Sequence, residues 1–593
     1  MILSASGWRD VFAADGDAES RLKEISGFHA SAAAAAAELF AGFVRAKKGG
    51  GAPRIIVGLD TRPTGVAIAE PVLDALRAKG CRILFCGVTA APEIMAYARF
   101  LGKTGGADGF IYISASHNPI GYNGIKFGLT DGGVLGGTDM TRLGAEFRTL
   151  IPPRDSAPQM PLGTKTAFFA KTLKKAVKYK KRALAAYSRF SLETAAGGQG
   201  TVLGELKKAI KAAPLGIAAD FNGSARAVSI DKDFFKGFGI KFRAINGKAG
   251  EIVHQIVPEG EALKPCRDFL EQLRRDDPDF LFAYVPDCDG DRGNIVFFDE
   301  NAGRVRRLEA QEVFALACLA ELCQLVWIGS PHVDENGSLW NTAIAVNDAT
   351  SMRIDRIARA FGARVFRAET GEANVVMLGR LLRVEGWTVP VMGEGAAGGS
   401  IVHPSAVRDP LQTVFALLKL LRIRSQAGKK GFFELWCERS GCKKPYSNDF
   451  TLSNIIASLP AFTTTSAYSK YARMQTVSVN QSTIKKRYQK VFAREWEKRK
   501  RRLYYKWGIS DWESRAYNGS KERRHIKKFE MAGKGGLRIV FKNKSGVDCA
   551  SIWMRGSGTE PVFRVMADIE GANIALHDEL LAWQRGMVLE ILS

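Results

Sequence analysis

Gly109-Phe110-Ile111-Tyr112-Ile113, running straight into Ser114-Ala115-Ser116-His117-Asn118-Pro119, decides the fold. A short apolar run bounded by turn residues reads as a buried strand, and the small polar residues after it as a tight turn at its carboxyl end. Upstream, Arg54–Gly58 is a second strand, followed by a Thr61–Gly65 loop, a helix through Leu76 that stops at Gly80, and a strand over Cys81–Cys86. This is a β-α-β rhythm and implies a parallel or mixed sheet covered by helices. The rhythm returns with strands at Leu215–Asp220 and Phe280–Val285. It returns again with Ala343–Val346, a helix over Ser351–Phe361 closed by Gly362, and a strand over Trp387–Met392. A last block, from about Gly535 to Ser593, has strands at Leu537–Phe541 and Phe563–Ala567 and a closing helix.

The chain has 593 residues, 46% hydrophobic and 25% charged, so several globular domains are expected and bulk disorder is excluded. With 85 Lys+Arg against 61 Asp+Glu the formal charge is +24. Two stretches carry +21 of it: residues 165–189 hold nine basic residues and no acid, and residues 485–528 hold 17 basic residues and five acids. Such a balance suggests an anionic partner: nucleic acid, an anionic surface, or phosphorylated metabolites. In the second stretch Tyr488, Phe492, Trp496 and Leu503 could share one helical face. No apolar run reaches the roughly 20 residues of a membrane helix, and Ala32–Ala37 reads as part of a soluble helix. Nine thinly spread cysteines fit free thiols in a reducing cytoplasm, and Cys437 and Cys442 lack a second Cys/His pair for zinc.

Four loops carry chemistry. The first runs from Ser114 to Lys126. Its Ser116 hydroxyl could be a nucleophile or carry a phosphate, and Lys126 could neutralise charge or move protons; a capped turn would use the same residue types. The second is Asp287-Cys288-Asp289-Gly290-Asp291-Arg292. Three carboxylates at alternate positions suit a hard cation, Mg2+ above all, and Arg292 makes sense beside it if phosphate is also present. The third, Gly393-Glu394-Gly395-Ala396-Ala397-Gly398-Gly399-Ser400, offers space and one carboxylate for sugar hydroxyls. The fourth, Arg555-Gly556-Ser557-Gly558-Thr559-Glu560-Pro561 with Arg564, can enclose a phosphate but lacks the Gly-Lys-Ser/Thr ending of an ATP-binding loop.

Taken together and in this order, the four loops resemble the phosphoserine, metal, sugar and phosphate loops of the α-D-phosphohexomutase superfamily, the phosphoglucomutase/phosphomannomutase enzymes. Ser6-Gly7-Trp8-Arg9 and Asp60-Thr61-Arg62-Pro63-Thr64-Gly65 also look like family positions. The resemblance implies an α/β protein, with three α/β domains of mixed sheets plus a smaller C-terminal α+β domain around a central cleft. The expected divisions are 1–190, 191–305, 306–425, a linker with a basic insertion over 426–530, and 531–593. It implies Ser116 as phosphoserine and Asp287, Asp289 and Asp291 as Mg2+ ligands, with the Ser116 phosphate as a further one. Lys126 becomes the general acid/base, with His117, Arg9 and Arg292 about the transferring phosphoryl group. Glu394 reads the sugar, and Arg555, Ser557, Gly558, Thr559 and Arg564 hold the phosphate that is not reacting.

The implied activity is that of an isomerase of carbohydrate metabolism. It interconverts hexose 1-phosphate and hexose 6-phosphate, of mannose and/or glucose, through a bisphosphorylated sugar, with hexose 1,6-bisphosphate as primer. Phosphoglucosamine mutase is the alternative, and a polyanion-binding protein using the basic stretches is an alternative of another class. Many relatives carry Gly-Glu-x-Ser-Gly-His in the sugar loop; here Ala396 to Gly399 stand instead, leaving His403 as the one histidine that could replace the missing one.

Overall fold

The computed structural model describes residues 1–4, 7–151, 153, 167–198, 200–441, 446–475, 480–556 and 562–592. They form two compact units, one of Met1–Leu308 with Ile401–Ile423, the other of Glu309–Ser400 with Arg424–Ser593.

The first unit holds two sheets. One is built from β1 (Ile2–Ser4), β2 (Gly7–Val11), β3 (Arg54–Leu59), β4 (Arg82–Val88), β5 (Gly109–Ile113) and β6 (Tyr122–Gly128), in the order β1-β2-β6-β5-β3-β4. β3 runs parallel to β4 and β5, while β6 is antiparallel to β5 and β2. Both faces are covered, which is why β3 and β5 read as continuous apolar runs. Ile55, Val57, Ile111 and Ile113 pack with Ala33, Ala37 and Phe40 of helix Gly27–Lys48; Ile56, Phe110 and Tyr112 pack with Ile94 and Ala183 on the other side. The helix over Ala32–Ala37 is therefore a core helix, begun by Ser26, which accepts from His29 N, and ended at Gly49 with φ of 77°. By length and composition it could cross a membrane, as could Ala310–Trp327. The apolar windows of these two helices are 61% and 78% buried in the fold.

The other sheet of this unit has β7 (Gly216–Asp220), β8 (Lys241–Ile245), β9 (Phe280–Pro286), β10 (Gly293–Asp299) and β11 (Arg304–Arg307), in the order β11-β10-β9-β7-β8. β9 and β10 form an antiparallel pair with Pro286 opposite Gly293, so Asp287–Arg292 is the loop of a hairpin.

In the second unit, β12 (Ala343–Asn347), β13 (Arg364–Ala368) and β14 (Val391–Glu394) are parallel, in the order β13-β12-β14, and β15 (Gly399–Val402) carries the chain back to the first unit. β14 starts at Val391 rather than Trp387 because Pro390 has no N–H to give to a ladder. The last sheet comprises β16 (Phe462–Thr464), β17 (Arg473–Gln475), β18 (Ile509–Asn518), β19 (Lys521–Arg524), β20 (Gly536–Asn543), β21 (Asp548–Gly556) and β22 (Val562–Glu570). Its order is β16-β22-β21-β20-β18-β19, with β17 also on β22.

The stretch expected as a basic insertion is built into this last sheet. Helix Gln481–Trp507 buries Ile484, Tyr488, Phe492 and Leu503 against Ile539, Phe541, Leu580 and Trp583, and β18 pairs with β20. The face read from the sequence, Tyr488, Phe492, Trp496 and Leu503, is the one that packs inward; the charge of the stretch had suggested an insertion instead. Several of the cations are moreover paired: Arg494 with Glu590, Lys500 with Glu497, and Arg502 with Glu579.

Candidate active site

The chain leaves β5 into Ser114, whose N–H donates to Gly124 O at 2.9 Å. Gly124 has to be glycine: a Cβ there would stand 2.6 Å from Trp8 O and 2.9 Å from Ser114 O. Two residues on, Ser116 adopts φ of 56°, the left-handed region that side-chain-bearing residues avoid, at a cost of about 1–3 kcal/mol. Its neighbours hold it there. Ser116 N donates to Ser114 Oγ at 2.9 Å. The buried Arg62 guanidinium donates to the main-chain oxygens of Ser116 (2.8 Å), Asn118 (2.5 Å), Pro119 (2.5 Å) and Tyr122 (3.0 Å). Asp60 backs Arg62 at 3.3 Å. The result aims the Ser116 hydroxyl at Asp287 Oδ2, to which it donates at 2.8 Å.

Asp287, Asp289 and Asp291 are all buried, and one carboxylate oxygen from each lies within 4.8 Å of the others. It is the one such cluster among the described residues. Like charges this close in a dry place oppose ionisation. Asp287 feels this most: burial first, then Asp289 and Asp291, push its pKa well above the ordinary carboxylate range. Burial pushes Asp289 the same way, but the Lys126 ammonium, a hydrogen bond from Ser114 and the charge of Arg408 outweigh it and hold the carboxyl below the usual range. Asp291 is paired with Arg408 at 2.8 Å. Asp289 Oδ1 and Asp291 Oδ1 are buried without a hydrogen-bond partner. Orphaned oxygens on converging carboxylates fit a hard divalent cation such as Mg2+.

Cations ring this cluster. Lys126, on β6 opposite Tyr112, donates to Asp289 Oδ2 at 2.6 Å. Burial alone would lower its pKa, but Asp289 and Asp291 more than offset that and keep it above its ordinary value. Arg9, on β2 opposite Gly124, donates to Asn118 Oδ1 at 3.1 Å. Burial, then the charge of Arg292, pushes Arg9 down to about 10. Arg292 donates to Nδ1 of His117. Thus Ser116, His117, Lys126, Arg9, Arg292 and the three aspartates come together in the first unit. Arg62 and Arg408 were missed as site residues. Asp60–Gly65 had signalled only a family-like segment, and Arg408 has no local signal beyond standing before the Asp409-Pro410 helix start.

The remaining residues lie in the second unit. Glu394 is buried, and its Oε1 accepts from Gly371 N at 2.8 Å and Asn347 Nδ2 at 3.3 Å. A Cβ on Gly393 would stand 2.3 Å from Gly399 O, so the tight loop demands glycine there. Arg555 donates to Glu369 Oε1 at 2.9 Å. Arg555 on β21 faces Arg564 on β22, which faces Arg473 on β17. Directly opposed like charges destabilise a sheet, so this row suits an anion; Arg473 was not foreseen. Lys485 lies near the row, donating to Gly533 O at 2.7 Å and Gly535 O at 2.5 Å. Burial first, then the charge of Arg555, pushes its pKa down to about 7. Ser557, Gly558 and Thr559 lie outside the described residues, as do Ser6, Lys165 and Cys442. His403 is in the first unit and exposed.

Residues 11–151 match the family described as phosphoglucomutase/phosphomannomutase, alpha/beta/alpha domain I. A phosphoglucomutase/phosphomannomutase of Thermococcus kodakarensis is 26% identical over 403 residues, 65% of this chain and 71% of that protein. A phosphoglucosamine mutase of Staphylococcus haemolyticus is 31% identical over 141 residues, 24% of this chain and 30% of that protein. Among solved structures, a phosphoglucomutase/phosphomannomutase family protein from Burkholderia thailandensis superimposes with a TM-score of 0.60 at 19% identity, covering 100% of this chain and 97% of that one. The open form of parafusin (phosphoglucomutase) from Paramecium gives 0.63 at 16% identity, covering 100% and 94%. The solved structures speak for the fold, and the family match and sequence relatives speak for kinship: residues 11–151 carry domain I of the phosphoglucomutase/phosphomannomutase family, and the chain is an enzyme of the phosphohexomutase type.

Proposed function

We propose that this enzyme interconverts hexose 1-phosphate and hexose 6-phosphate, of mannose and/or glucose, by way of a phosphoserine at Ser116 and a bisphosphorylated sugar. The observation that carries this reading is the Ser116 hydroxyl 2.8 Å from Asp287, on a strained backbone held by Arg62, beside a carboxylate cluster with two orphaned oxygens. Nothing about an ordinary turn calls for that strain. Phosphoryl transfer asks the protein mainly for positioning and charge stabilisation. Arg9, Arg292 and Lys126 supply positive charge about the serine. Lys126, resting as an ammonium on Asp289, can give a proton to a departing oxygen; it can take one only when the Asp289 charge is engaged elsewhere. Mg2+, held by Asp287, Asp289 and Asp291, would supply charge neutralisation at the phosphoryl oxygens. The row Arg555–Arg564–Arg473 would hold the other phosphate, and Glu394 the sugar hydroxyls. Hexose 1,6-bisphosphate is the expected primer, leaving a phosphoprotein.

The relatives' names divide between phosphoglucomutase/phosphomannomutase and phosphoglucosamine mutase, so glucosamine phosphate is the second reading. Coupled assays of protein primed with bisphosphate, using the 1-phosphates of glucose, mannose and glucosamine side by side, decide by their kcat/KM ratios. Ser116→Ala is expected to abolish nearly all turnover; a variant that keeps it removes the serine from the mechanism. We place the reaction in the cytoplasm, a reading supported by buried thiols such as Cys266 and Cys318, whose pKa burial raises. Recovery of the native protein in a secreted or membrane fraction would count against it.

A further inference from the structure

Helix Ala167–Ala196 carries most of the first basic stretch, and Lys171, Lys174, Lys175, Lys178 and Lys181 are exposed on it. Two other residues on the helix, Lys180 and Tyr187, reach inward. They stand seven positions apart, so two helical turns bring them to one face. Lys180 Nζ donates to Glu93 Oε2 at 2.8 Å. Tyr187 donates to Asp409 Oδ2 at 2.8 Å and accepts from Arg226 Nη1 at 2.6 Å.

Each contact leads to the aspartate loop. Glu93 is wholly buried at the start of helix Ala91–Lys103, and the Ala91 N–H donates to the main-chain oxygen of Asp289 at 2.8 Å. Arg226 is also buried, gripped by Asp231 Oδ1 at 2.7 Å. The Ala225 N–H beside it donates to the main-chain oxygen of Cys288 at 3.0 Å. The Arg226 stem lies against Gly290, where an added Cβ would fall 2.5 Å from Cδ. Ser229, closing the turn that bears Arg226, donates to the same Glu93 oxygen at 3.3 Å and joins the two routes. Cys288, Asp289 and Gly290 are therefore held from behind by two elements, each tied to one helix.

We propose that helix Ala167–Ala196 braces the cation loop. Lys180 and Tyr187, acting through Glu93 and Arg226, are positioning residues that keep three mutually repelling carboxylates converged before a divalent cation arrives. This rests on reading Asp287, Asp289 and Asp291 as that loop. Carboxylates free to spread must be gathered on binding, and that ordering is taken from affinity. Groups that orient metal ligands typically account for 10–100-fold in affinity.

The test is a Mn2+ titration of the full-length protein, followed by electron paramagnetic resonance, with no substrate present. Tyr187→Phe deletes one oxygen at almost unchanged shape; Lys180→Met removes the charge, and Lys180→Arg returns it. The expected result is Mn2+ binding weakened tenfold or more in Tyr187→Phe and Lys180→Met, and restored to within about threefold in Lys180→Arg. Circular dichroism without metal establishes that each variant is folded, and kcat at saturating metal should recover with an unchanged KM for sugar phosphate. Folded variants that bind Mn2+ within twofold of the parent overturn the brace. A folded parent that binds no Mn2+ overturns the reading of the loop itself, and the two failures are told apart by that one control.

Discussion

Arg408→Met separates stability from cation affinity in opposite directions. Arg408 and Asp291 face each other at 2.8 Å with 6% and 2% of their side chains exposed. Methionine keeps most of the volume and removes the charge. Breaking a buried pair by deleting one partner typically costs about 3–5 kcal/mol, because the other charge stays behind unpaired. Here that charge is one of three carboxylates within 4.8 Å of one another, so without metal the variant should unfold at clearly lower urea concentration. Cation binding should move the other way. A unit positive charge about 5 Å from a divalent ion repels it by about 7 kcal/mol at an effective dielectric of about 20; even a quarter of this is a factor of about ten or more. The variant is thus expected to bind Mg2+ at least about tenfold more tightly, and Mg2+ to restore more stability to it than to the parent. Urea unfolding with and without Mg2+, together with calorimetric Mg2+ titration, measures both. Weaker or equal Mg2+ binding in a folded variant would refute the charge argument and make Arg408 a support of the site rather than a substitute for its cation.

Two further outcomes follow from single residues. Burial pushes the Asp409 carboxyl up to about 6 from 3.8, against the pull of Arg226, so its stability contribution is complete below about pH 3.8 and is lost as pH rises through about 6. Asp409→Asn keeps the helix cap to Leu411 and should flatten this dependence, gaining up to about 3 kcal/mol on the parent between pH 4 and 7 in urea unfolding; identical pH profiles would contradict it. Gly290→Ala forces a side chain into φ of 68° and against the Arg226 stem, and should cost about 2 kcal/mol or more in the same assay, with weaker Mn2+ binding; a silent substitution would mean the loop is not pressed against Arg226.

The elements legible in the sequence were those whose signal is local. The strand Gly109–Ile113 was found at its observed bounds because both its faces are buried and it ends in turn residues. The aspartate loop was legible because alternate carboxylates around a glycine have few other uses. Arg62 and Arg408 were not, since each finds its partners through the fold: Arg62 reaches Pro119 57 positions away, and Arg408 reaches Asp291 117 positions away. The basic stretches misled for another reason. A charge count sums both sides of a helix, whereas Ile484, Tyr488 and Phe492 in one helix, and Ala183 and Tyr187 in the other, show that burial is decided by one side alone.

The same distinction separates the excess charge from the charge at the site. Around Ser116 the three aspartates are met by Lys126, Arg9, Arg292 and Arg408, which leaves the site about one positive charge when all are ionised. On the proposed reaction, that is too little to stabilise a phosphorylated serine beside a second phosphate. A bound divalent cation raises the balance to about three, enough to offset a phosphoryl dianion and still attract substrate. The strongly basic character of the chain contributes almost nothing to this balance, because most lysines of the two basic stretches are exposed to water, where their fields are screened within about 10 Å. Charge becomes chemistry here only where burial isolates it. Lys180 is the instructive case: one lysine of the first basic stretch acts on the site because it is turned inward onto Glu93, and its neighbours in sequence do not.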